Sequence, residues 1–171
     1  MTLARLLKFE AEELKMASVV GKFIRILESL PYAIIALLAR VVIGLVFYKS
    51  GLTKIDGFAL KDATFFLFAE EYKVPLIPPV MAAYMATAAE LTLPWLLWLG
   101  IGARIAALGL FGMTAVIQIF VYPDAYMTHG LWAIALLMIV KFGPGALSID
   151  HVIRSRSVGM ESTSTPAMWK L

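Results

Sequence analysis

The hydrophobic positions of the chain fall into four long runs that few charges interrupt. The hydrocarbon core of a bilayer is about 30 Å thick, so a spanning helix needs roughly 20 mostly apolar residues. Four segments approach that length: residues 31–48, 77–99, 103–121 and 125–142. The pattern therefore predicts an all-α integral membrane protein, a four-helix bundle.

Two further helices are predicted outside these runs. In residues 1–30, apolar residues recur at helical spacing among charges, which is typical of an amphipathic helix on a membrane surface. The longest connection, residues 49–76, carries an apolar run at 65–68 between charges and then several prolines, which predicts a short interfacial or re-entrant helix. We expect three parts: the helix over residues 1–30, a transmembrane domain over 31–152 and a flexible tail over 153–171.

Composition and charge place the chain in a membrane and give it an orientation. Of its 171 residues, 61% are hydrophobic and 16% charged, whereas soluble domains have roughly 45–50% and about 25%. With Arg104 at the start of the third span included, nine Lys and Arg lie on the side of both termini, and four lie on the other. The positive-inside rule then predicts cytoplasmic termini. Because the basic residues are scattered, they do not indicate nucleic-acid binding.

The chain has no cysteine and two histidines. This excludes disulfides, thiol chemistry and iron–sulfur clusters. His129 and His151 are predicted on opposite sides of the membrane, so they cannot ligate the two faces of one haem. We predict no metal site and do not expect a self-sufficient redox enzyme.

Four polar residues fall inside or at the ends of predicted spans. At 1.5 Å per residue, Arg40 lies about 12 Å from the outer end of the first span, and Glu90 lies about 20 Å from the outer end of the second. Because these spans are antiparallel neighbours, we predict that Arg40 and Glu90 pair near the midplane. Such a pair either clamps the bundle or orients a polar ligand and relays protons. Gln118 has a hydrogen-bonding role toward a helix or a ligand. Lys141 precedes a helix end, where an ammonium is stabilised and can reach the interface.

A second candidate site lies at the outer ends of the spans. His129, with Tyr126 and Trp132 near it, offers a donor and aromatic faces that suit the head group of a quinone. The alternative is an interfacial aromatic belt with a solvated histidine. Lys49 and Lys54 close the first span, either as cations that satisfy a helix C-terminus or as a site for an anion or lipid headgroup.

Several short motifs occur together and in order over about residues 31–152. They are Arg40, Phe47–Ile55, Val74-Pro75, Glu90-Leu91, Gly100–Arg104, Tyr122-Pro123 and Gly143–Asp150. In this order and spacing they resemble the DoxX family of four-helix inner-membrane proteins. The segment Phe65–Pro75 and Leu93-Pro94 look most like members encoded beside copper-buffering ribosomal peptides and their modifying enzymes.

The resemblance implies a multi-pass protein of the bacterial inner membrane, associated with an oxidoreductase system. Some relatives are subunits of thiosulfate:quinone oxidoreductase, so the resemblance implies quinone as a candidate cofactor and a protein partner in the membrane. Two other hypotheses remain: a component of a small-solute transporter or channel, and a structural partner of a peptide-maturation or stress-response complex. A homo-oligomer is compatible with each.

Overall fold

The structure is a computed structural model and describes residues 18–163 of the chain. The chain divides at Tyr32 into two units, residues 1–32 and 33–171, and each is described by itself. In the first unit, residues 18–28 form helix α1 with mostly exposed side chains. This confirms a helix in the later part of the predicted N-terminal segment. The predictions for residues 1–17 and 164–171 lie outside the described residues.

The second unit is built on four long apolar helices, as predicted. In the described part of the chain, these four helices are long and apolar enough to cross a membrane. Their bounds are α2 (Tyr32–Thr53), α4 (Pro79–Leu99), α5 (Ala103–Val116, extended by π-helical turns to Val121) and α6 (Tyr126–Phe142). One core cluster contains Ile43, Phe47, Leu97, Leu110 and Leu136. All four helices therefore share a single packed interior.

The α2–α4 connection contains the predicted helix. Helix α3 (Asp62–Phe66) continues as a π-helix (Leu67–Tyr72), which ends at Lys73 in the left-handed conformation. A two-stranded hairpin, β1 (Ile55–Asp56) with β2 (Ala59–Leu60), precedes it and was not predicted. Each strand has only two residues, too few for a period-two pattern to register in the sequence.

The connecting helix packs on the first half of α4. Phe68 is buried with Ala82 and Ala83 in a second small core. The small side chains of these two alanines let the connecting helix approach α4 closely. The connection is thus part of the folded bundle.

The last described helix, α7 (Ile149–Thr163), has a well-formed start. Ser148 Oγ accepts a hydrogen bond from the backbone N–H of His151 at 3.2 Å, the usual role of a helix N-cap. Residues 153–163 are therefore helical at the backbone, whereas their Ser and Thr content indicated a loose tail.

Candidate functional site

Arg40 does not pair with Glu90, and this prediction was wrong. Its side chain is fully buried, and Nη1 donates to the carbonyls of Leu97 at 3.1 Å and Trp98 at 3.4 Å. Nη2 donates to the carbonyl of Leu147. Two of these acceptors are in the last turn of α4, where the carbonyls carry partial negative charge. Arg40 therefore ties the end of α4 to the segment after α6.

The axial offset between α2 and α4 explains the error. A Cβ placed on Gly44 would lie 2.3 Å from the Trp98 indole, and one on Gly51 would lie 3.0 Å from Cβ of Glu90. Glu90 is therefore level with Gly51 near the end of α2, eleven residues after Arg40. Hydrophobicity located both helices, but it carries no information on how far one slides along the other.

Other charged groups near Arg40 also bind the backbone. The Asp150 carboxylate accepts from the N–H groups of Gly102 at 2.8 Å and Ala103 at 3.0 Å, capping the start of α5. Arg104 Nε donates to the carbonyl of Val140 at 3.1 Å. We call this region, with the end of α4, the start of α5 and the end of α6, the Arg40 end.

Lys141 lies at the Arg40 end and is exposed, with Nζ 5.1 Å from the ring centroid of Phe142. The last turn of α6 contains it. Lys141 therefore lies where the C-terminus of a helix stabilises a cation. It is not at the end of the bundle that contains Glu90.

The partner of Glu90 is Lys54. Lys54 Nζ lies 2.7 Å from Oε2 and 3.0 Å from Oε1 of Glu90, and 3.0 Å from Oγ of Ser50. Both charged side chains are buried. Lys54 follows the last turn of α2 and turns inward, away from an outer-face anion or headgroup, while Lys49, the other lysine predicted at the end of that span, is exposed.

The local backbone explains why Lys54 turns inward. Its carbonyl accepts from the Thr64 hydroxyl at 2.8 Å and from the N–H of Lys61 at 3.0 Å. The Lys61 ammonium donates to the carbonyl of Thr53 at 2.8 Å. The hairpin and α3 thus fix the chain direction at the end of α2 and hold Lys54 against α4.

A cavity of about 350 Å³ lies beside the ion pair. The end of α2, the start of α4, the end of α5 and the start of α6 surround it, together with the connecting helix, and we call this region the cavity end. Most lining residues are apolar. The polar ones are Ser50, Lys54, Tyr72, Glu90, Tyr122 and His129.

His129 and Trp132 line the same cavity, with their ring centroids 5.0 Å apart. Gln118 Oε1 lies 2.7 Å from His129 Nδ1, while Gln118 Nε2 donates to the carbonyl of Pro123 at 2.6 Å. His129 is buried, whereas the belt interpretation requires a solvated ring. Tyr126 is exposed and does not line the cavity.

Tyr72 was missed in the sequence. It comes from the connecting helix and its ring contacts Tyr122, with centroids 5.9 Å apart. Burial and a hydrogen bond with Tyr122 raise the pKa of Tyr72 well above its ordinary value, so its hydroxyl stays a donor even in alkaline buffer. The charges at 70 and 71 beside it made this helix look interfacial, and no local signal marked Tyr72 as inward-facing.

The arrangement suits a neutral or weakly polar ring. Ligand sites are usually concave, mostly apolar and about 300–1,000 Å³ in volume, with a few convergent polar groups. The cavity end has these features, including an imidazole, a carboxylate and two phenols on its walls. The residues present therefore fit a quinone head group.

The comparisons agree with this architecture. The family model described as DoxX matches residues 35–123. An uncharacterized protein of Haemophilus influenzae is 28% identical over 118 residues, which are 63% of this chain and 76% of that protein. No solved structure matches the chain significantly. The family match spans Lys54 and Glu90 and ends before His129.

Proposed function

The chain belongs to the DoxX family, and on that premise we propose that it is a quinone-interacting membrane subunit or partner of an oxidoreductase system. The cavity end holds the quinone ring. The observation that carries this proposal is a single cavity of about 350 Å³ in which the Lys54–Glu90 pair and His129 meet. Burying charged side chains within a membrane costs free energy, so a buried ion pair that faces a cavity indicates a functional site.

The apolar and the polar residues that line the cavity contact different parts of the ring. Apolar side chains and the indole of Trp132 contact the faces of the ring. The two phenols donate to the oxygens at the edge of the ring, and His129 and Glu90 meet the O–H groups of its reduced form. These directional contacts favour a ring that carries hydrogen-bonding groups over a plain hydrocarbon tail of the same volume.

Electron transfer requires a partner. The chain has no cysteine, so its own side chains supply no thiol or iron–sulfur route to a bound quinone. The partner is a redox protein of the same membrane, and the subunit serves it as the quinone site. We place the chain in the bacterial inner membrane with both termini cytoplasmic, on the charge distribution.

Binding to purified protein tests the proposal. Protein purified in mild detergent is extracted with organic solvent and analysed for quinone, and binding of ubiquinone-1 is followed through tryptophan fluorescence. We expect saturable quenching that Trp132→Phe largely removes, because this indole lines the cavity.

A matched pair of variants locates the site. Ala89 lines the cavity, whereas its neighbour Ala88 is exposed on the same helix. Ala89→Leu fills part of the cavity and should weaken ubiquinone-1 binding at least about tenfold, the order expected for one misplaced isobutyl group. Ala88→Leu should bind as the wild type does. Quinone-free protein that does not bind ubiquinone-1 but moves a solute across liposomes would instead support a transporter component.

A further inference from the structure

The orientation of the Gln118 amide is fixed by chemistry. A proline carbonyl can only accept, so the group 2.6 Å from the oxygen of Pro123 must be the amide NH₂ of Gln118. The other end of the amide, 2.7 Å from His129 Nδ1, is then the carbonyl oxygen. An oxygen acceptor at that distance requires a hydrogen on Nδ1.

The hydrogen on Nδ1 determines what His129 offers elsewhere. A neutral imidazole carries one N–H, so Nε2 has a lone pair. Within the described part of the chain, Nδ1 alone of the two ring nitrogens has a hydrogen-bond partner. Gln118 is not on the cavity wall, whereas His129 is. Nε2 is therefore the nitrogen left to face a ligand, as an acceptor.

The Lys54–Glu90 ion pair also leaves hydrogen-bond acceptors that a ligand can use. An ammonium has three N–H groups, and Lys54 directs them to the two Glu90 oxygens and to Ser50 Oγ. The Glu90 carboxylate keeps further lone pairs. The two phenol hydroxyls, from Tyr72 and Tyr122, can act either way.

We propose that Gln118 is a positioning residue that holds His129 in its Nδ1–H form, and that the cavity thereby selects the hydroquinone over the quinone. This inference rests on the proposed function. A hydroquinone brings two O–H donors, which match the acceptors at His129 Nε2 and Glu90, whereas the carbonyls of a quinone would face lone pairs there. The unmet acceptors would cost binding affinity.

Two measurements test the inference. Nitrogen-15 NMR of histidine-labelled protein, in the His151→Gln background and mildly alkaline buffer, reports which nitrogen of His129 is protonated. Anaerobic binding of durohydroquinone and duroquinone, measured as tryptophan quenching, gives the preference. We expect protonated Nδ1 and a preference for the hydroquinone of about threefold to tenfold, the range of one hydrogen bond.

Variants of α5 separate positioning from packing. Gln118→Met removes the acceptor for Nδ1–H and should bring the two affinities to within about twofold, because Nε2 can then carry the hydrogen. Ile119 is exposed beside it, and Ile119→Met should keep the wild-type preference.

The outcomes distinguish the two proposals. Protonated Nε2 in the wild type, equal affinities or a preference for duroquinone would overturn the selectivity while leaving the quinone site in place. A preference that survives in Gln118→Met would overturn the role of Gln118. Absence of binding by either probe contradicts the quinone site itself, and the selectivity with it.

Discussion

The charged side chains at the two ends of the bundle have different kinds of partner. At the Arg40 end, Arg40, Arg104 and Asp150 bind backbone carbonyls and N–H groups at helix termini. At the cavity end, Lys54 and Glu90 bind each other's side chains beside an open volume.

The partners of the charged groups indicate which end of the bundle maintains the fold and which end binds a ligand. A charge that hydrogen-bonds to backbone groups at helix ends stabilises the fold. A charged pair beside a cavity retains groups that can meet a ligand. We therefore assign fold maintenance to the Arg40 end and ligand binding to the cavity end, and substitutions at each end test this division.

The largest loss of stability is expected from Arg40→Met. The substitution removes the buried guanidinium that donates to the carbonyls of Leu97, Trp98 and Leu147. We expect destabilisation on the order of 5 kcal/mol, since each unsatisfied buried group costs about 1–3 kcal/mol. Thermal unfolding in detergent measures it. If folded protein is recovered at low temperature, it should still bind ubiquinone-1; a stable variant that cannot bind would reverse the assignment.

The next largest effect is expected at the ion pair. Lys54→Met leaves the Glu90 carboxylate buried without its cation, which should cost about 3 kcal/mol or more. Glu90→Gln should also lower stability, and Lys54→Met with Glu90→Leu together should recover most of the loss, because two apolar residues need no partner.

The same double variant should lose most of its binding of durohydroquinone, because the Glu90 oxygens that accept from the ligand are gone. Unfolding curves of the wild type, Lys54→Met, Glu90→Leu and the double variant give the coupling energy of the pair. Additive losses would mean that the pair is not coupled, and full binding by the double variant would remove the pair from the site.

A smaller loss is expected from Asp150→Ala. The side chain caps the N–H groups of Gly102 and Ala103 at the start of α5, and loss of such a cap costs about 0.5–2 kcal/mol. Asp150→Asn should retain part of the stability, because an amide oxygen can still accept one bond. The midpoint of thermal unfolding distinguishes the two variants, and equal midpoints would contradict the capping role.

The smallest effect is expected from Ser50→Ala. Lys54 loses one of the acceptors around its ammonium but keeps both Glu90 oxygens. We expect a loss of about 1 kcal/mol in detergent unfolding experiments. A loss as large as that of Lys54→Met would show that Ser50, rather than Glu90, dominates the contact.

The fold was largely predictable because hydrophobic runs of bilayer length leave little choice of element. The predicted end of the first span, at Tyr48, fell short of Thr53, where α2 ends. Lys54 was predicted as a cation at the end of that span, but its inward turn toward Glu90 was not predicted. The apolar residues around 65–68 correctly indicated the connecting helix.

The site was less predictable than the fold because it depends on tertiary register. The offset of α4 against α2 follows from close packing at Gly44 and Gly51, which a hydropathy pattern does not contain. His129 and Trp132 were identified correctly as neighbours, since they are three residues apart on one helix. Their meeting with Glu90 in one cavity requires the folded bundle.

Photoaffinity labelling tests the central claim most directly. Purified protein is irradiated with an azido-quinone, with and without excess ubiquinone-1, and the labelled peptides are mapped by mass spectrometry. The account predicts competed labelling at the cavity end, within residues 46–54, 68–90 or 113–132. Competed labelling within residues 96–104 or 143–150, at the Arg40 end, or labelling that excess ubiquinone-1 does not reduce, would contradict it.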